Sequence, residues 1–96
     1  MFARVTRSKG DPAKTEELAR IATSEILPSV QGVPGFKGMT VLADRKTGEG
    51  LAITFWASEE EMKASEDLGQ QLRADAIKRV GGSVTGVERF EVIAQG

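Results

Sequence analysis

The chain has 96 residues, with 14 acidic and 13 basic side chains and no histidine, cysteine or tyrosine. These absences exclude a disulfide, a thiolate nucleophile, a Ser–His pair, and a histidine-held zinc, haem or iron site. The nearly balanced charge does not indicate a nucleic-acid partner, and no apolar run approaches the ~18 residues of a membrane span. Residues 1–5 lack the apolar core of a signal peptide, so we expect a cytoplasmic protein with no nucleic-acid or membrane partner.

The first third of the chain predicts a strand followed by a helix. Residues 2–7 are β-formers with few breakers. Asp11 can cap a helix and Pro12 suits its first turn. Apolar residues then recur at helical spacing and predict one buried face, formed by Leu18, Ile21, Ala22, Ile26 and Val30. Pro28 is expected to bend or shorten the last turn, and the Gly/Pro-rich residues 32–35 end the helix.

Three further strands are predicted. Residues 38–43 and 51–56 are apolar and flank a polar, glycine-bearing connection at 44–50, which is typical of a hairpin. The third strand is apolar at both parities, which indicates that both of its faces are covered. Residues 84–94 carry the last strand, with Val87, Phe90, Val92 and Ile93 as its apolar members.

The second helix is predicted between the third and fourth strands. Ser58 and Glu61 form a capping box at its start, and Gly81-Gly82 ends it after about Val80. Its apolar stripe consists of Met62, Leu68, Leu72, Ala76 and Val80.

The element order β-α-β-β-α-β is that of the ferredoxin-like α+β fold, with a four-stranded antiparallel sheet and two helices on one face. We expect one domain over residues 1–96. The other sheet face would expose a large apolar patch, and such patches usually mark association surfaces. A homodimer that packs through this sheet face would bury the patch.

Three segments resemble the antibiotic-biosynthesis monooxygenase (ABM) domain family, namely Pro-Gly-Phe-Lys-Gly at 34–38, Asp-Arg-Lys-Thr-Gly at 44–48 and Ile-Thr-Phe-Trp-Ala-Ser-Glu-Glu at 53–60. The resemblance extends over essentially the whole chain and implies a dimeric α+β barrel. It implies a cofactor-independent monooxygenase that oxidises an aromatic or polyketide-type small molecule with molecular oxygen. The alternatives are a non-catalytic dimeric module that binds a small ligand or supports another enzyme, and an isomerase or cyclase on the same scaffold.

The family also includes haem-degrading enzymes, which carry a first-strand asparagine, a second-helix tryptophan and a histidine iron ligand. Matching the 53–60 segment without gaps puts Thr6, Ser65 and Ala74 at these three positions. We therefore expect no haem-degrading activity and no cofactor.

The candidate substrate-binding residues are Arg4, Thr6, Thr54, Trp56, Met62, Ser65 and Gly69. Trp56 is interpreted either as a stacking wall for an aromatic ligand or as a core residue. The threonines either hydrogen-bond the ligand or serve only as strand formers. The small residues Ser65 and Gly69, beside Met62, leave space that is either a ligand cavity or filled by neighbouring side chains.

Arg4 lies between apolar residues and could bind a carboxylate or phenolate. The alternatives are an edge position or a salt bridge to Glu88 or Glu91. Acids at 59–61 offset the helix dipole, so we expect no metal site. Without histidine or tyrosine, deprotonation would fall to a carboxylate, a lysine or the acidity of the substrate itself.

Overall fold

A computed structural model describes all residues, 1–96. Its elements are β1 (Phe2–Lys9), a 3-10 turn (Pro12–Lys14), α1 (Thr15–Ile21), a π-helical turn (Ala22–Ile26), α2 (Leu27–Val30), β2 (Phe36–Ala43), β3 (Glu49–Trp56), α3 (Glu59–Ala64), α4 (Glu66–Arg79) and β4 (Ser83–Glu91). The strands form one antiparallel sheet in the order β2-β3-β1-β4. The predicted ferredoxin-like fold is thereby confirmed.

The first helical segment continues through Pro28 and is not shortened there. Helix α2 runs to Val30, and the π-helical turn comes directly before it. In this turn the Leu27 N–H donates to the carbonyl of Ala22, five residues back. Proline has no N–H and its ring crowds the carbonyl four residues earlier, so a widened turn lets the chain remain helical on both sides of it.

The second helical segment is broken into two helices, where the sequence predicted one. The break lies at Ser65, whose backbone has φ −89° and ψ 0°. The Ser65 hydroxyl donates to the carbonyl of Met62 at 2.7 Å, which competes with the regular helical hydrogen bond of that carbonyl. At the start of α3 Ser58 caps the helix as predicted, with the Glu61 N–H donating to Ser58 Oγ at 3.1 Å. The Glu61 carboxylate accepts from the Ser58 hydroxyl at 2.9 Å, whereas in a capping box it accepts from the backbone N–H.

Strand β4 ends three residues earlier than predicted. The Val92 N–H still donates to the carbonyl of Met1. Ile93, the next residue, is 91% exposed and is not part of the sheet. No helix in the structure has the length and apolar character to cross a membrane.

The strand register separates the two faces of the sheet, because cross-strand partners lie on the same face. The helix-covered face includes Arg4, Thr6, Met39, Val41, Thr54 and Trp56, and the open face includes Val5, Leu42, Leu51, Ile53, Phe55 and Phe90. Between the helices and the sheet, Ile21, Ala76 and Val80 form a buried cluster against which Leu18 and Ile26 pack. The sheet, the π-helical turn, α2 and α4 enclose the candidate site described next.

Candidate functional site

A cavity of about 60 Å³ lies between the helix-covered sheet face and the helices. Its polar lining consists of Arg4, Thr6, Thr54, Ser65 and Arg73, and its apolar lining includes Ile26, Val30, Met39, Val41, Leu68 and Leu72. A second cavity of about 40 Å³ adjoins it and shares Thr6, Ile26, Val41, Ala52 and Arg73. Small-molecule sites usually measure ~300–1,000 Å³, so an aromatic ligand requires the lining to move. Leu68 is 36% exposed and borders both the cavity and solvent.

Arg4 is the most buried charged residue of this site, at 3% exposure. Its Nη2 donates to the Met62 carbonyl at 2.7 Å and to Ser65 Oγ at 2.5 Å, and its Nε donates to Glu66 Oε1 at 3.3 Å. The two alternative interpretations of Arg4, an edge position and a salt bridge to Glu88 or Glu91, are both wrong. β1 is a central strand, and the salt-bridge partner is Glu66 on α4. Glu88 pairs instead with Arg7, on the open face.

Glu66 joins the buried Arg4 to the more exposed Arg89. Arg89 donates from Nε to Oε1 at 2.7 Å and from Nη2 to Oε2 at 2.8 Å, a bidentate pair. The hydrogen bond from Arg89 lowers the pKa of Glu66. Partial burial raises this pKa, and the positive charge of Arg4 lowers it further. Glu66 is therefore held ionised and is a weak base.

Trp56 is a core residue that also borders the cavity. It is 1% exposed, and its ring packs edge-to-face with Phe36 at a centroid distance of 5.6 Å. Arg4 Cζ lies 5.6 Å from the Trp56 ring centroid, within cation–π range. The indole Nε1 donates to Thr54 Oγ1 at 3.0 Å. The N–H of Trp56 thus already has an acceptor, which leaves the ring as the part available to a ligand.

The space beside Gly69 is occupied by the guanidinium of Arg4. A Cβ built on Gly69 would stand 2.6 Å from Arg4 Nη1, which is too close for two atoms that are not bonded. Ser65 contributes a hydrogen bond to the same guanidinium, and Met62 contributes its carbonyl. The small residues therefore make room for Arg4, and the cavity is what remains beyond it.

Six of the seven candidate residues line the cavity together, and Met62 reaches it only through its contact with Arg4. Sequence reasoning did not connect Glu66 with Arg4 and did not single out Arg73. Arg73 lies four residues after Gly69 and so shares its helix face. A charged residue on the same helix face as a candidate site residue was the sequence signal that could have found it.

Ala74 was matched without gaps to the histidine ligand of haem-degrading relatives. Ala74 is exposed, whereas the neighbouring Arg73 lines the cavity. No other alignment with the haem-degrading relatives would supply a histidine ligand, because the chain contains no histidine.

No group of three or more aspartate or glutamate side chains is placed to hold a metal ion. The cavity lining contains neither a carboxylate nor a lysine. Its ionisable groups are two arginines, which donate hydrogen bonds and positive charge but do not accept protons at neutral pH.

Solved structures of three proteins share this fold. The ActVA-Orf6 monooxygenase of Streptomyces coelicolor, in complex with nanaomycin D, is 22% identical with a TM-score of 0.70 and covers 99% of this chain and 88% of its own. The haem degrader MhuD of Mycobacterium tuberculosis is 22% identical with a TM-score of 0.70, at 100% and 99% coverage. SnoaB, a cofactor-independent oxygenase of Streptomyces nogalater, is 22% identical with a TM-score of 0.67, at 98% and 94% coverage. At these identities the likeness shows the fold.

Sequence comparison identifies the family. The uncharacterized protein Rv2557 of Mycobacterium tuberculosis is 32% identical over 69 residues, which are 72% of this chain and 30% of that protein. The chain thus matches less than a third of that relative's length. The sequence model of the antibiotic biosynthesis monooxygenase family matches residues 1–77. The chain therefore belongs to the antibiotic biosynthesis monooxygenase family.

Proposed function

We propose that the chain is a cofactor-independent monooxygenase-like enzyme that oxidises an aromatic or polyketide-type small molecule in the cavity. The observation that carries the proposal is a cavity with apolar walls in which hydrogen-bonding groups remain free. Family membership supports it, as do the shared folds of ActVA-Orf6 and of the cofactor-independent oxygenase SnoaB. Sites of this composition are the usual place for small-molecule chemistry.

Two polar groups are free to contact a ligand. Arg4 uses Nη2 and Nε for its contacts with Met62, Ser65 and Glu66, and Nη1 has no acceptor in the chain. The Thr6 hydroxyl likewise has no partner. No fully buried side-chain nitrogen or oxygen lacks a hydrogen bond, so both atoms keep some exposed surface, and both residues line the cavity. They can donate to a phenol or carbonyl oxygen of the substrate.

Arg4 would promote the reaction through its charge. A neighbouring cation lowers the pKa of a phenol or enol by ~1–3 units, and it stabilises negative charge as that charge develops. The acidity of the substrate then supplies the electron-rich carbanion, because no carboxylate or lysine lines the cavity. Oxidation of a methylene, R₂CH₂ + O₂ → R₂C=O + H₂O, balances without a further reductant. One oxygen atom enters the product and the other leaves as water.

The open sheet face is part of the same proposal, as the contact surface of a homodimer. Leu42 is 49% exposed and Phe90 is 51% exposed on this face, and Leu51, Ile53 and Phe55 are half-buried beside them. A second copy packed face to face by a two-fold axis would remove this apolar surface from water.

The second candidate function is a non-catalytic dimeric module that binds a small ligand or supports another enzyme. Two observations favour it: the cavity is only about 60 Å³, and its lining has no group that accepts a proton at neutral pH.

Oxygen uptake by metal-stripped protein, measured against a panel of anthrones and hydroquinones, tests the enzyme. We expect saturable uptake that is lost in an Arg4→Met, Trp56→Phe double variant and retained in Arg20→Met, which removes an exposed arginine away from the cavity. Uptake no faster than in buffer, from folded protein, would reject the enzyme in favour of the binding module.

A further inference from the structure

Arg73 is a second cation of the cavity, and it has no partner within the chain. It lines both adjoining cavities and makes neither a salt bridge nor a side-chain hydrogen bond. A Cβ built on Gly69 would be 3.3 Å from Arg73 Nη1 and 2.6 Å from Arg4 Nη1. The two guanidinium groups therefore flank one point beside the glycine.

Positive charge exceeds negative charge around this point. The charges that shift the pKa of Arg4 are those of Glu66 and Arg89, and the charges that shift the pKa of Arg73 are those of Arg4, Glu66 and Arg89. Glu66 is the one carboxylate among them. Glu66 is already engaged by Arg89 through both of its oxygens. Burial lowers the pKa of Arg73, and the charge of Arg4 lowers it further. Three guanidinium groups against one carboxylate leave an uncompensated charge that an anion would relieve.

We infer that the cavity binds a small organic acid, with the carboxylate held between Arg4 Nη1 and Arg73 and the apolar body against the walls. Guanidinium groups suit a planar carboxylate because their N–H donors match its two oxygens. The walls formed by Val30, Leu68 and Leu72 favour an organic anion over a free inorganic one. The inference rests on the proposed function for the location of the site, and it narrows the substrate class to acids.

The test compares benzoate with benzamide, which have nearly the same shape and differ in charge. Binding is followed by NMR at the indole N–H of Trp56, the only tryptophan of the chain. We expect benzoate to bind at least about tenfold more tightly than benzamide. Arg73→Gln is expected to remove most of this preference, and Arg73→Lys to restore part of it. The matched control, Lys78→Gln, removes an exposed charge from the same helix and should keep the preference.

Equal affinities of folded protein for benzoate and benzamide, or no saturable shift with either, would overturn the inference. Inorganic phosphate that binds as tightly as benzoate would overturn the assignment to an organic acid. The result is separable from the oxygenase proposal. A preference for benzoate without oxygen uptake supports the acid-binding inference and rejects the oxygenase proposal. Oxygen uptake with a neutral anthrone, together with equal affinities for benzoate and benzamide, supports the oxygenase proposal and rejects the acid-binding inference.

Discussion

Replacing Gly69 by alanine tests whether the Arg4 guanidinium occupies the space beside α4. At an ordinary helix position, alanine in place of glycine stabilises by about 1 kcal/mol. Here the new Cβ would stand 2.6 Å from Arg4 Nη1 and 3.4 Å from Cζ. Arg4 would have to move, although Nη2 is held by the Met62 carbonyl at 2.7 Å and by Ser65 Oγ at 2.5 Å.

The two effects oppose each other, and their magnitudes decide the sign. A hydrogen bond from a charged donor contributes about 1.5–3 kcal/mol, so losing one outweighs the gain from helix propensity. With one such hydrogen bond lost and the propensity gained, we expect Gly69→Ala to lower the free energy of unfolding by about 0.5–2 kcal/mol.

The assay is urea unfolding followed by circular dichroism at one fixed protein concentration, because association would shift the midpoint. Ala74→Gly is the matched control, since Ala74 is exposed on the same helix; it reports the propensity difference alone and should cost about 1 kcal/mol. If Gly69→Ala instead raises the free energy of unfolding by as much as Ala74→Gly lowers it, the Arg4 guanidinium does not fill the space beside Gly69.

Three further predictions concern other parts of the molecule. Trp56→Phe should lower the free energy of unfolding by about 1–2 kcal/mol in the same assay, because the Nε1 hydrogen bond and part of the buried ring are lost; an unchanged stability would contradict the core position of Trp56. The pKa of Glu66 is lowered in the folded state, chiefly by the hydrogen bond from Arg89. The ionised carboxylate of Glu66 therefore contributes to stability at neutral pH. This contribution is lost as the pH falls below the ordinary pKa of 4.5 and through the lower pKa of the folded state. In Glu66→Gln, urea midpoints should fall less steeply over that acid range, and a slope equal to that of the unmodified protein would count against the role of the pair. For the proposed homodimer, light scattering is expected to give a dimer for the unmodified chain and a monomer for Ile53→Lys, which puts a charge on the open sheet face. A dimer that survives this change would place the contact elsewhere.

The strands and most helix ends could be predicted from the sequence because their signals are local. Alternating or continuous apolar residues, the Ser58 cap and the glycine-bearing hairpin each act within a few residues. The order of these elements is nearly sufficient for the ferredoxin-like topology, because few arrangements of such a chain cover one face of a sheet. The break at Ser65 was missed because a serine hydroxyl that bonds the preceding turn leaves no periodicity signal.

The sequence by itself also determined what chemistry is excluded, since a chain without histidine, cysteine or tyrosine lacks those groups whatever its fold. Only the tertiary structure decided the environment of Arg4. Its partner Glu66 is 62 residues away in the chain, and the choice among Glu66, Glu88 and Glu91 depends on which sheet face the side chain leaves and which helix covers it. The same holds for Arg73, whose position beside Arg4 follows from helix–sheet packing. Contacts across such separations are set by the packing of whole elements, to which every residue of the core contributes.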